Sequence, residues 1–323
     1  MQPRKRIRPW RMLIGLIALG ALALLWAQAA EEATYVGTKK CELCHKLRAD
    51  SKAIVAAYPQ TAHARALQEA SVQGAIVADM AAAPMAPADI KYVLCGSRRF
   101  QSYIDHNLKV MAQRWNVAEK KWEADPEAGK DAATQCLGCH TTGYNPATQE
   151  FVQAGVGCEM CHGPGSVHSA KLGKEPMVKP EELDPQRQAM ICGQCHSVGH
   201  SKDGSCAFPV GFRPGNNLAD FFVDSGTRKA VRNSQYTHLL QSPKHLEKGT
   251  ICTTCHDPHG QTDQPHQLKK TVTELCLACH SGTVRDIASH AAEKQMAAPA
   301  DATCATCHMK DGVHLFDKAV AGS

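Results

Sequence analysis

One pattern, Cys-x-x-Cys-His, recurs seven times in this 323-residue chain and restricts its fold more than any other feature. The copies are CELCH (Cys41, Cys44, His45), CLGCH (Cys136, Cys139, His140), CEMCH (Cys158, Cys161, His162) and CGQCH (Cys192, Cys195, His196). CTTCH (Cys252, Cys255, His256), CLACH (Cys276, Cys279, His280) and CATCH (Cys304, Cys307, His308) follow. Two thiols at this spacing with a histidine next to the second are the attachment signature of c-type haem. The cysteines form thioethers with the porphyrin, and the histidine ligates the iron from below. A redox dithiol or a zinc knuckle does not need that histidine in every copy. The cofactor expected is therefore seven covalently attached haem c groups.

Composition fits this reading. Fourteen of the 16 cysteines lie in the motifs, and aromatic residues make up only 5% of the chain. A chain of this length needs large apolar side chains to fill its interior, and haem can replace them. The expected fold class is mainly α with little regular structure, a multihaem cytochrome c fold wrapped around its seven haems.

The N-terminus carries Arg4, Lys5, Arg6, Arg8 and Arg11, then an apolar run from Met12 to Trp26 and the A-x-A site Ala27-Gln28-Ala29. These are the three parts of a secretory signal peptide, 1–29. The alternative is an uncleaved signal anchor in the inner membrane, since the run is nearly long enough to span a bilayer. Either way the rest is exported, and the periplasm is the expected compartment. The net charge of +5 belongs entirely to this leader, because residues 1–29 hold five basic residues and no acid. Haem propionates make the remainder acidic. With no basic stripe on the mature chain, no nucleic-acid role is expected.

Residues 30–180 read as an N-terminal lobe with three haem sites, and 181–323 as a C-terminal lobe with four. QTAHARAL, rich in alanine, predicts helix around His63, and the stretch around Pro84 and Pro87 predicts a linker. YVLCGSRRFQSYI looks strand-like and QRWNVAEKKW resembles a hairpin. Lys171 to Gln188 predicts a connecting arm. VRNSQYTHLLQSPKH predicts a helix, because Tyr236, Leu239 and Leu240 share a face.

Ten histidines lie outside the motifs, and closing seven irons with a second imidazole needs seven of them. Those nominated are His63, His168, His245, His259, His290, His314 and His238. His200 is an even candidate, while His106 and His266 read as surface residues. Met111, Met160, Met190, Met296 and Met309 are expected to pack, not to ligate. Arg98 and Arg99 are candidates for propionate pairing. Tyr144 and Tyr236 are expected against haem edges. Cys95 and Cys206 lie outside the motifs; a disulfide between them suits an oxidising compartment, with isolated thiols or a ligating role as alternatives.

With these residues in view, the chain resembles the multihaem cytochromes related to nitrifier cytochrome c-554, and more widely the group holding pentahaem nitrite reductases and octahaem hydroxylamine oxidoreductases. The matching stretches include YVGTKKCELCH, QTAHARAL, RWNVAEKKW, CLGCHTTGYNP, GVGCEMCHGPGSVH, FPVGFRPGNNL, QYTHLLQSPKH and CTTCHDPHG. The resemblance implies bis-histidine haems in parallel and perpendicular pairs, and periplasmic electron transfer. The chain lacks the C-x-x-C-K site that marks the catalytic haem of nitrite-reducing members.

The expected function is a heptahaem electron carrier, with no catalytic residues and with redox partners on either side. Those partners are a quinol-oxidising membrane complex as donor and a terminal reductase or outer-membrane conduit as acceptor. Two alternatives stay open. One is an oxidoreductase acting on a small nitrogen or sulfur oxyanion at one five-coordinate haem. The other is a homo-oligomer or subunit of a haem-lined filament.

Overall fold

The computed structural model describes residues 32–316 except 96–98, 230, 232 and 285. The leader at 1–29 and Arg98 lie outside the described residues. Five antiparallel strands form the main sheet in sequential order: β1 (Leu67–Glu69), β2 (Ile90–Leu94), β3 (Phe100–Asp105), β4 (Gln113–Asn116) and β5 (Lys121–Ala124). This corrects the expectation of a mainly α chain. The strand-like and hairpin readings match β2–β3 and β4–β5.

The sheet buries both of its faces. A register shift between Ile90 and Tyr92 puts Ile90 and Val93 on one side, where they pack with Tyr103 and Trp115; a bulge re-aims side chains in this way. Trp122 closes that cluster edge-on against Trp115, with ring centres 5.3 Å apart. Gln101, fully buried on β3, is satisfied throughout. Its amide donates to the Ala75 carbonyl (2.8 Å), and its Oε1 accepts from Val77 N–H and the Tyr103 hydroxyl. These bonds hold residues 75–77 against the sheet, and the Pro84/Pro87 stretch that follows forms short turns. The other face, with Leu67, Leu94 and Ile104, packs on Ala132 and Leu137 of the CLGCH site.

QTAHARAL is not helical: residues 61–66 are turns leading into β1. Alanine propensity is overridden because the Ala66 carbonyl is claimed from outside, by Cys95 N–H and by the His140 ring. The helix expected around Tyr236 divides into Gln235–Leu239 and Pro243–Glu247, since Pro243 cannot continue a hydrogen-bonded helix. The arm from Lys171 ends in a nine-residue helix, Pro185–Gly193, capped by the Asp184 carboxylate. Strands β6 (Thr141–Thr142) with β7 (Gln153–Ala154), and β8 (Gly199–Ser201) with β9 (Phe222–Asp224), make two small ribbons.

Past Ser242 the character changes. Ala291 is the one buried residue there among those described, although three motifs lie in this stretch. Among the described residues, no helix is long and apolar enough to cross a membrane.

Candidate haem-binding site

Histidine rings face each other in pairs at one repeated spacing. Ring centres are 6.3 Å apart for His45–His168, His256–His314 and His290–His308. They are 6.2 Å apart for His63–His196, His162–His259 and His245–His280. Each pair joins the histidine of one motif to a histidine outside the motifs. Two imidazoles bonded to one metal at roughly 2 Å each have ring centres roughly 6 Å apart, so the gap fits one iron. The residues present therefore fit haem c: cysteines to anchor it and a ring on either side.

Ring orientation is built in from behind. The Nδ1–H of His140 donates to the Ala66 carbonyl (2.9 Å) and that of His162 to Val178 (2.9 Å). His256 donates to His266 (3.0 Å), His168 to Glu175 (2.7 Å) and His314 to Gly312 (2.8 Å). A carbonyl can only accept, so each bond fixes the tautomer that leaves Nε2 with its lone pair available to a metal. Burial also keeps rings neutral. It depresses His196, His245 and His259, with His256, His280 and His162 respectively adding to the effect, and it pushes His314 down to about 4.

The second ring rarely comes from beside its own motif. His63 follows CELCH but faces His196 of CGQCH; its carbonyl is held by Val156 N–H (2.9 Å). His168 follows CEMCH but faces His45, and His259 follows CTTCH but faces His162. The exchange stitches distant segments together.

His238, nominated as a ligand, has a different place. It is 1% exposed. Its Nε2–H donates to the Lys229 carbonyl (3.1 Å), and its Nδ1 accepts the backbone N–H of His314 (3.3 Å). With both nitrogens engaged, none is left for a metal; the side chain holds the segment that carries His314. The helical context of His238 gave the sequence no sign of this role. His106 sets its Nε2 on the Ala88 carbonyl at the surface, and His200 its Nδ1 on Ser201.

The motif segments also meet one another. Glu159, fully buried within CEMCH, accepts from the N–H groups of Val36, Gly37 (2.7 Å) and Gly165 (2.8 Å). Cys158 N–H donates to Thr38 (3.3 Å), so CELCH and CEMCH lie together, and contact with Cys158 pushes the Cys41 thiol up. CGQCH touches three others. Cys195 Sγ is 3.8 Å from the Cys139 carbonyl, Cys139 Sγ is 3.7 Å from the Gln194 carbonyl, and the Gln194 amide donates to Met160 (2.8 Å). Contact with Cys252 raises Cys192. Cys255 is raised chiefly by burial, with Cys279 a neighbouring thiol, and the helices Val272–His280 and Cys304–His308 pack together.

Aromatic rings seat on motif glycines. Phe208 lies against Gly138, where a Cβ would enter its ring, and a Cβ on Gly193 would lie 2.8 Å from Tyr236. Tyr236 is thus a core residue, whereas Tyr144 lies 5.8 Å from Phe208 with a buried hydroxyl that has no hydrogen-bond partner. Met190 packs, receiving Leu218 N–H on its sulfur (3.4 Å). Arg99 stacks over Phe100 at 5.2 Å. Cys206 is buried, and Cys95 packs against the cluster of Leu67, Leu94 and Ile104.

Comparison with known proteins agrees with this site. Residues 91–163 match the family "Cytochrome c554 and c-prime", and residues 244–285 match "Doubled CXXCH motif". These matches make the chain similar to multihaem c-type cytochromes of the group related to cytochrome c-554. It is 27% identical over 50% of its length to the multiheme cytochrome MtrA of Shewanella baltica, covering 56% of that protein. It is 27% identical over 47% of its length to cytochrome c-554 of Nitrosomonas europaea, covering 48% of that protein. The chain thus spans about half the length of these curated relatives. The outer cell wall cytochrome OcwA shares the fold, with a TM-score of 0.69 at 24% identity, over 87% of this chain and 79% of that one. So does an undecaheme S-layer cytochrome of Carboxydothermus ferrireducens, with a TM-score of 0.57 at 20% identity, over 93% of this chain and 54% of that one.

Proposed function

We propose that the protein is an exported heptahaem carrier that conducts electrons through a row of bis-histidine sites. Its donor is a quinol-oxidising membrane complex, and its acceptor is a terminal reductase or an outer-membrane conduit. Each haem, when bound, takes up and returns one electron at its iron. The observation that carries the reading is the repeated 6.2–6.3 Å ring pairing. At these six sites a ring on each side leaves no open position for substrate and suits electron transfer. The contacts between motifs order the attachment sites as CELCH, CEMCH, CGQCH, CTTCH, CLACH and CATCH, with CLGCH as a branch on CGQCH. The proposed lobes, 30–180 and 181–323, meet where Gln194 bonds Met160. The multihaem relatives, one of them named for the outer cell wall, support a place outside the cytoplasm.

Electron paramagnetic resonance of the oxidised holoprotein, with mass spectrometry to count haems, tests this. Low-spin signals are expected from the six paired sites. His314→Ala is expected to convert one of them to high spin, while His238→Gln leaves all six low-spin. High-spin iron at a paired site of the unaltered protein would sink the reading.

The pairs also differ in plane angle: 82° for His63–His196 against 8° for His162–His259. Crossed imidazole planes bring the iron d-orbitals that hold the unpaired electron close to degeneracy, which makes the g-tensor strongly anisotropic. The CGQCH site is therefore expected to give the most anisotropic low-spin signal of these two sites, and His63→Ala to remove it. Retention of that signal in the variant would refute the assignment.

A further inference from the structure

We infer that the face around the CELCH site is the docking surface for an acidic redox protein. The inference rests on the conduction reading above, in which CELCH is one end of the row. Three leucines close in sequence to the His45–His168 pair stand in solvent: Leu43 (56% exposed), Leu47 (79%) and Leu172 (85%). Leu43 and Leu47 lie two residues on either side of His45, and Leu172 lies in the turn closed by Gly173 N–H on the His168 carbonyl. Scattered exposed apolar residues need no explanation, but a contiguous group rimmed by charge marks an interaction site.

The rim is basic. Residues 38–52 and 166–175 carry seven Lys or Arg and three Asp or Glu, a net +4. Residues 31–323 as a whole are neutral, so everything else sums to −4 before any propionate is added. Two of the acids are already taken, Asp50 by Arg48 and Glu175 by Lys171. Lys39, Lys40, Lys46, Lys52 and Lys174 point into solvent. The protein therefore has a charge asymmetry directed at this end. An apolar centre lets two redox centres approach closely, and the lysine rim steers a negatively charged partner and rejects a positive one.

The test uses the holoprotein and flavodoxin, an acidic one-electron protein, as the probe. The variant Lys39→Glu/Lys40→Glu/Lys46→Glu/Lys174→Glu is compared with Lys248→Glu/Lys270→Glu/Lys294→Glu/Lys310→Glu, which reverses the same number of charges in the C-terminal half of the chain. Stopped-flow reduction by flavodoxin hydroquinone is expected to slow about tenfold or more in the first variant at low salt, with its salt dependence flattened. The second variant is expected to keep the unaltered rate. Binding of oxidised flavodoxin by surface plasmon resonance should weaken in parallel, and Leu47→Gln/Leu172→Gln should weaken it without changing the salt slope. Equal rates in both variants, or equal losses, would overturn the proposal. So would loss of sedimentation with phosphatidylserine vesicles in the first variant while its flavodoxin kinetics stay normal, which would make the face a membrane contact. Fast, lysine-dependent docking that reduces a single haem would leave this surface standing and break the conduction reading instead.

Discussion

Produced without haem attachment, the chain is expected to keep hydrogen-exchange protection in the sheet, residues 67–124, and to lose it throughout residues 243–316. The two regions differ in what holds them. The sheet has its own apolar cluster of Ile90, Val93, Tyr103 and Trp115, and a buried glutamine with every polar atom satisfied. The later region has a single buried alanine among its described residues. Ordering a residue costs roughly 1–2 kcal/mol of backbone entropy alone, so about 70 residues demand on the order of 10² kcal/mol. Side-chain burial in this region is far too small to offset that. The histidine pairs bring no attraction either, since neutral rings 6.2–6.3 Å apart are separated by a gap. The cofactor is the missing packing material. Hydrogen-exchange mass spectrometry of the cysteine-to-serine chain is the measurement, and protected amides around CTTCH, CLACH or CATCH would show that the polypeptide has a core of its own there.

Glu159→Ala is expected to destabilise the holoprotein by about 3–5 kcal/mol, which is large for one substitution. The carboxylate is 0% exposed and accepts from the backbone N–H groups of Val36, Gly37 and Gly165. Removing it strands two buried donors and a half-buried one, and each unsatisfied buried group costs roughly 1–3 kcal/mol. Glu159→Gln keeps one acceptor oxygen and should lose less. The consequence reaches further than stability. Gly37 begins the turn into CELCH, and Gly165 leads to His168, so both sides of the His45–His168 pair hang from this carboxylate. Denaturant unfolding gives the stability change, and the spin state of the CELCH site gives the local one. A loss below about 1 kcal/mol, within the range of ordinary substitutions, with an unchanged spectrum would show that the N–H groups find other acceptors.

The sequence was legible wherever chemistry is local. Cys-x-x-Cys-His is complete within five residues, so its meaning needs no fold. The β4–β5 hairpin was also readable, because RWNVAEKKW carries both strands and the turn between them. The second imidazoles were visible as surplus histidines, but not their pairing. His63 and His196 are far apart in sequence, and a ring's destination depends on how the backbone returns at Val156. Likewise the alanines of QTAHARAL report propensity, whereas the Ala66 carbonyl is committed to Cys95 and His140, which no local window contains. His238 failed for a related reason. Its sequence context is that of a ligand, and only the approach of the His314 backbone shows that Nδ1 is already in use.

The meeting of three motif segments at CGQCH has a consequence for how damage spreads. In an unbranched row every link is equally critical, but a fork makes failure unequal. Loss of the CLGCH site prunes one tip and leaves the through-route intact, as does loss of CATCH apart from a shorter reach. On the proposed route, loss of CGQCH parts the attachment sites into three disconnected groups at once. Cys192 and Cys195 should therefore tolerate change least of all the attachment cysteines, and Cys136 and Cys139 should leave the most traffic running when they are gone.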